Sequence, residues 1–200
     1  MNEQLGLSHF SFNQIVNDSS MTSTAFAMWI TGLPASGKST IVSVLKPRLE
    51  GLGLTVEVLE SDEVRRVITP IPIYSEAERD LFYRAMVFTG QKLVEHDVTV
   101  VFDATASRRA YRDFARSVIP RFIEIAVECP LAICMERDRK GTYRKGQSGE
   151  SQTVPGLQSP YEAPINSDLR VDTTITSSSD AARQICDLVK AKYFSQVYFA

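Results

Sequence analysis

Residues 32–40 read Gly-Leu-Pro-Ala-Ser-Gly-Lys-Ser-Thr and directly follow the apolar run from Phe26 to Ile30. The spacing G-x-x-x-x-G-K-[ST] at that place demands a strand, a tight anion-binding turn and a helix in immediate succession. Gly32 and Gly37 permit backbone angles that side chains disfavour, so N–H groups can turn inward around a polyphosphate. The whole loop, Gly32-Leu33-Pro34-Ala35-Ser36-Gly37-Lys38-Ser39-Thr40, is therefore the expected cradle, with the positive end of the following helix beneath it. Lys38 is placed to reach the β- and γ-phosphates, and the Ser39 hydroxyl to ligate Mg²⁺. These residues imply binding of a nucleoside triphosphate.

Strand and helix patterns alternate after residue 25. Apolar or β-branched runs predict strands at Phe26–Thr31, Leu54–Leu59, Val98–Phe102, Phe122–Val127 and Leu169–Ile175. Helical periodicity is expected over Lys38–Glu50, Ser61–Val67, Ser75–His96, Ser107–Ser117, Leu131–Arg137 and Ser179–Lys190. Such alternation predicts an α/β fold, a three-layer α/β/α phosphate-loop NTPase sandwich on a mainly parallel sheet, with ligands at the carboxyl ends of the strands. Residues 25–195 form the expected domain and 1–24 an N-terminal extension without the basic start and apolar stretch of a secretion signal. A 44% hydrophobic chain of 200 residues with net charge −2 can bury a core, and it carries no basic track for nucleic acid. No apolar run is long enough for a membrane span. Cys129, Cys134 and Cys186 form no disulfide or metal pattern, which suits a reducing cytoplasm.

Residues 139–168 break the alternation. They are rich in glycine and proline and begin with basic residues, too long for an unstructured connection in a compact domain. A lid that excludes water from a reacting nucleotide is the functional reading, and a disordered insertion the bland one.

Several further segments resemble the adenylylsulfate (APS) kinase family. Cys134-Met-Glu-Arg137-Asp138-Arg-Lys140-Gly141-Thr-Tyr143-Arg-Lys145 is similar to its C-x-x-R-D-x-K-G-x-Y-x-K, and Ser159-Pro160-Tyr161-Glu162-Ala163-Pro164 to a second signature. Asp62-Glu-Val-Arg65 resembles D-N-x-R, and Tyr74-Ser-Glu-Ala-Glu-Arg79 resembles F-S-x-x-D-R. The resemblance implies transfer of the γ-phosphate of ATP, with Mg²⁺, to the 3′-hydroxyl of adenosine 5′-phosphosulfate in sulfate activation. It implies Asp62 as the group that orients or deprotonates the acceptor hydroxyl or holds Mg²⁺ through water, Arg65 and Arg79 as substrate-binding guanidiniums, and Tyr74 as a ring stacked on the acceptor adenine. Arg137 is expected on the ATP base, and Lys140, Lys145, Gly156 and Leu157 in the lid around the substrates. Family members are often homodimers.

The chain also departs from the pattern. Glu60-Ser61-Asp62 replaces D-G-D, Phe82 stands at an expected asparagine, and Val154 replaces the second ring of the adenine sandwich, a stacking face worth about 1–3 kcal/mol. Asp103-Ala104-Thr105-Ala106 replaces the family's I-S-P segment and looks like the D-A-T of other kinases of the superfamily. Asp103, at a strand end, reads as a second acidic partner of Mg²⁺, and Thr105 as a substrate-side hydroxyl. Bland readings stand beside these: Asp62 or Asp103 as helix caps, Arg65 and Arg79 as solvated or surface-paired arginines, Thr105 as a turn-former. The departures keep three alternatives open: a sister kinase acting on another nucleotide conjugate or small hydroxyl, a non-catalytic ATP-binding module, and a polynucleotide kinase.

Overall fold

The computed structural model describes residues 24–194; the expected extension at 1–24 lies almost wholly outside these. Five strands, β1 (Ala27–Thr31), β2 (Val56–Glu60), β3 (Thr99–Asp103), β4 (Phe122–Glu128) and β5 (Leu169–Asp172), form one sheet in the order β2-β3-β1-β4-β5. Every pairing is parallel; Ile30 lies opposite Asp103 on one side and Ile125 on the other.

Alternation along the central strand sorts the core into two halves. Met28 and Ile30 face α1 (Lys38–Glu50) and α7 (Ser178–Val189), meeting Ile41, Leu45, Leu49, Ile185 and Val189. Ala27 and Trp29 face the other layer, α3 (Glu76–Glu95) and α4 (Arg109–Val118), against Phe82, Met86, Tyr111 and Ala115. Trp29 is wholly buried, stacks on Phe102 and donates its indole N–H to the Ala104 carbonyl, so it is core as expected. Burial of both faces explains the apolar runs of β1 and β3, while β2 and β5 sit at the edges and read less apolar.

Four expectations need correction. β5 stops at Asp172 rather than Ile175, because the Asp172 carboxylate accepts hydrogen bonds from the N–H and hydroxyl of Thr174 and turns the chain. α4 begins at Arg109, not Ser107, and its first N–H is capped from a distance by Glu162. The 139–168 segment holds a short helix, α6 (Thr142–Gln147), following α5 (Leu131–Glu136). Neither Ser61 nor Asp62 caps α2 (Ser61–Ile68); both lie within its first turn, preceded by Glu60. Among the described residues, no helix is long and apolar enough to cross a membrane.

Candidate active site

The carboxyl ends of β1, β2 and β3 open into one cleft of about 1210 Å³. Single-ligand pockets run to about 300–1,000 Å³, so this space suits two substrates side by side.

At one end lies the loop between β1 and α1. Gly37 has φ of 103°, the left-handed region that its motif position requires, whereas Gly32 is needed for space: a Cβ there would lie 2.4 Å from the Val127 carbonyl oxygen. Ala35 also adopts positive φ, 58°, as the loop folds back on itself. The Ser36 hydroxyl is buried in the loop without a hydrogen-bond partner among the described residues, an orphan suited to an anion's oxygen. Lys38 is buried and donates to the carbonyls of Gly32 and Leu33. Burial holds its ammonium below the usual lysine value of 10.5, with the Asp103 carboxylate pulling the other way. Asp103, at the end of β3, is itself buried, which pushes its carboxyl up, and Ser39 and Lys38 oppose that shift. A cation and an anion so placed each relieve the other's desolvation.

The middle of the cleft is crossed by the start of the 139–168 segment. Lys140 reaches back to Asp62 at 2.7 Å and Glu60 at 3.3 Å, and Asp62 raises its pKa. Lys145, also on the cleft wall, pairs with Glu150 at 3.2 Å. Arg137 lies across the turn after β5, donating to the hydroxyl and carbonyl of Thr173, whose hydroxyl in turn contacts the Ser36 carbonyl of the loop. The start of the 139–168 segment is held by hydrogen bonds. Asp138 accepts from the N–H groups of Thr142, Tyr143 and Arg144 and so caps α6, and Tyr143 donates its hydroxyl to the Pro34 carbonyl.

The far end is built on α2 and α3. Arg65 is buried, paired with Glu78 at 3.1 Å, with its guanidinium 3.8 Å from the centre of the Phe82 ring and 5.0 Å from that of Tyr74. Arg79 donates to the carbonyls of Tyr74 and Thr153 and lies 5.3 Å from the Tyr74 ring. Arg65 is buried rather than solvated, and the acids near Arg79 pair elsewhere, Glu78 with Arg65, Asp80 with Arg84 and Glu76 with Arg108. Tyr74 holds φ of 54°, uncommon for an aromatic residue and typical of strained functional positions. Thr105 lines the cleft and accepts a hydrogen bond from Thr31 on its carbonyl.

Gly156 and Leu157 do not line this cleft; a Cβ on Gly156 would lie 2.6 Å from the Leu33 side chain, so the stretch packs against the phosphate loop. Val154 lines the cleft but is buried with Cys134 and Tyr143, and presents no ring opposite Tyr74. Sequence reasoning missed Glu60, Asp138 as a cap, and Tyr83, whose hydroxyl accepts from the Ala106 N–H. The signal for Tyr83 was a hydroxyl on an otherwise apolar helix face.

The adenylylsulphate kinase family model matches residues 24–172. The chain belongs to that family. It is 38% identical over 149 residues to the probable adenylyl-sulfate kinase of Archaeoglobus fulgidus, covering 74% of this chain and 96% of that one. It is 34% identical over 165 residues to the adenylyl-sulfate kinase of Rippkaea orientalis, covering 82% and 91%. The structure of the Mycobacterium tuberculosis APS kinase in complex with AMPPNP and APS superposes with a TM-score of 0.78 at 30% identity, covering 83% of this chain and 98% of that one. This member of the adenylylsulphate kinase family is a phosphotransferase with an alcohol acceptor, using ATP.

Proposed function

We propose that this chain phosphorylates the 3′-hydroxyl of adenosine 5′-phosphosulfate, with donor and acceptor bound at opposite ends of the single cleft. The observation that carries this reading is the continuity of the cleft from Lys38, Ser39 and Asp103 to Arg65, Tyr74 and Arg79. Lys38 neutralises charge on the transferring phosphoryl group, and the loop N–H groups and the start of α1 hold the adjacent phosphates. Asp62, once Lys140 moves from it to an anionic substrate, orients the acceptor hydroxyl. Arg65 and Arg79 present guanidiniums to the phosphosulfate, and Tyr74 offers one face to the adenine. Arg137 covers the donor base, and the anchored lid keeps water from the phosphoryl group.

The oxygen donors at the loop fit Mg²⁺: the Ser39 hydroxyl lies at the Asp103 carboxylate, a hard oxygen pair beside the phosphate cradle. Ser39, with Asp103 and Asp62 acting through water, would hold the ion, which supplies charge neutralisation at the phosphates.

The test is ADP formation from ATP and Mg²⁺ with and without APS. APS-dependent turnover is expected, with Lys38→Ala at least about a hundredfold slower. Failure of APS to stimulate turnover in protein that still binds ATP would favour another hydroxyl acceptor, the reading that Phe82 and Val154 would then explain.

A further inference from the structure

Tyr83 is the polar exception on the face of α3 that packs against the sheet. Its ring stacks on Tyr111, with centroids 4.4 Å apart, and lies 6.2 Å from Trp29. The residue is 5% exposed, and its oxygen accepts a hydrogen bond of 3.2 Å from the Ala106 N–H and another from the Arg65 guanidinium. A phenol both accepts and donates. No acceptor for the Tyr83 proton is found among the described residues, yet Tyr83 forms part of the cleft wall together with Arg65, Arg79 and Thr105. Burial pushes its pKa above the ordinary value of 10.0, so the proton stays on the oxygen at neutral pH. A buried donor without a partner is costly, and one facing a ligand cleft calls for an acceptor on the ligand.

We propose that Tyr83 is a specificity-determining residue whose O–H donates to an anionic phosphate or sulfate oxygen of the acceptor nucleotide, beside Arg65 and Arg79. The inference rests on the APS reading of the cleft. It also gives the neighbouring departure a physical sense. Phe82 turns its ring inward as a floor for the Arg65 guanidinium and offers the cleft no hydrogen bond. The next residue supplies one. The oxygen is fixed from both sides, by the Tyr111 stack and by the Ala106 amide, so the donor is oriented before the ligand arrives. Ala106 adopts φ of 41°, a conformation that the hydrogen bond to Tyr83 and the contact from Arg112 to its carbonyl help to hold.

The experiment compares wild type with Tyr83→Phe, which keeps the ring and its stack. Equilibrium binding of adenosine, AMP and APS is measured alongside that of ATP with Mg²⁺, with kcat and KM for APS. Tyr83→Phe is expected to weaken AMP and APS about tenfold, to raise KM for APS similarly, and to leave adenosine, ATP and kcat within about twofold. Equal weakening of all three acceptor-side ligands, or a fall in kcat with APS affinity intact, would show that Tyr83 only braces the Ala106 loop and would overturn the proposal. Wild-type affinities in Tyr83→Phe would overturn it too. If wild type itself binds ATP but neither binds APS nor turns over with it, the APS reading falls first and this inference with it.

Discussion

Lys38 is a cation placed where water scarcely reaches it, and the consequence is measurable. Its ammonium is satisfied by two loop carbonyls, but burial still lowers its pKa from 10.5. A bound polyphosphate adds negative charge and raises that pKa again. Below the lowered free-state value, Lys38 is protonated with or without nucleotide, and ATP affinity is insensitive to this group. As pH rises through that value toward 10.5, the free protein loses the proton that the complex retains, so binding takes up a proton and affinity declines. Calorimetric titration with ATP in two buffers of different ionisation enthalpy should reveal proton uptake within this window; no buffer dependence there would contradict the assignment. The position of Lys38 was legible in sequence because a motif of fixed spacing dictates both its loop and its helix. Tyr83 and Glu60 were not, because their roles depend on Ala106 and Lys140, separated from them by 23 and 80 residues in sequence.

Helix α6 shows how an element escapes a reading of periodicity. Six residues containing Gly146 nucleate poorly by themselves. The helix forms because Asp138 takes three of its first N–H groups and Tyr143 ties it to Pro34 of the phosphate loop. The same Arg-Asp-x-Lys-Gly-x-Tyr residues that carried the family resemblance therefore include a structural cap, and their spacing reflects helix geometry as well as chemistry. The long helices α1 and α3, by contrast, run for 13 and 20 residues, long enough to be told from strands by length alone. Asp138→Ala should cost about 1–2 kcal/mol locally. Hydrogen exchange is expected to speed up over residues 142–147 while the amides of β1 and β3 keep their protection. Uniform loss of protection would mean that the cap supports the whole fold, and no change would mean that Tyr143 alone holds the helix.

Across the whole molecule, a buried polar spine that the sequence concealed inside an apolar strand ties the loop after β3 to the sheet and to the Ser159–Pro164 stretch. Arg112, 1% exposed, donates to Glu124 of β4 at 2.6 Å, to the Glu162 carbonyl at 2.6 Å and to the Ala106 carbonyl. Glu124 also meets Arg116, its backbone N–H donates to Asp168, and Asp168 pairs with Lys192. One guanidinium thus joins the loop after β3, the central layer and the Ser159–Pro164 stretch, where Tyr161 in turn contacts the Thr31 hydroxyl beside Thr105. Removing one partner leaves the other buried and uncompensated, so Arg112→Ala should destabilise the protein by about 3–5 kcal/mol. That loss alone cannot separate a structural pair from a positioning one. The paired change Arg112→Met with Glu124→Leu removes both charges and, by replacing them with apolar volume, should recover most of the thermal stability. It cannot restore the hydrogen bonds to the Ala106 and Glu162 carbonyls, and so leaves the segment carrying Asp103 and Thr105 less firmly set. Phosphotransfer with APS is therefore expected to remain at least about tenfold below wild type in kcat, with ATP affinity retained. Recovery of stability and kcat together would show that the spine holds the fold without orienting the site.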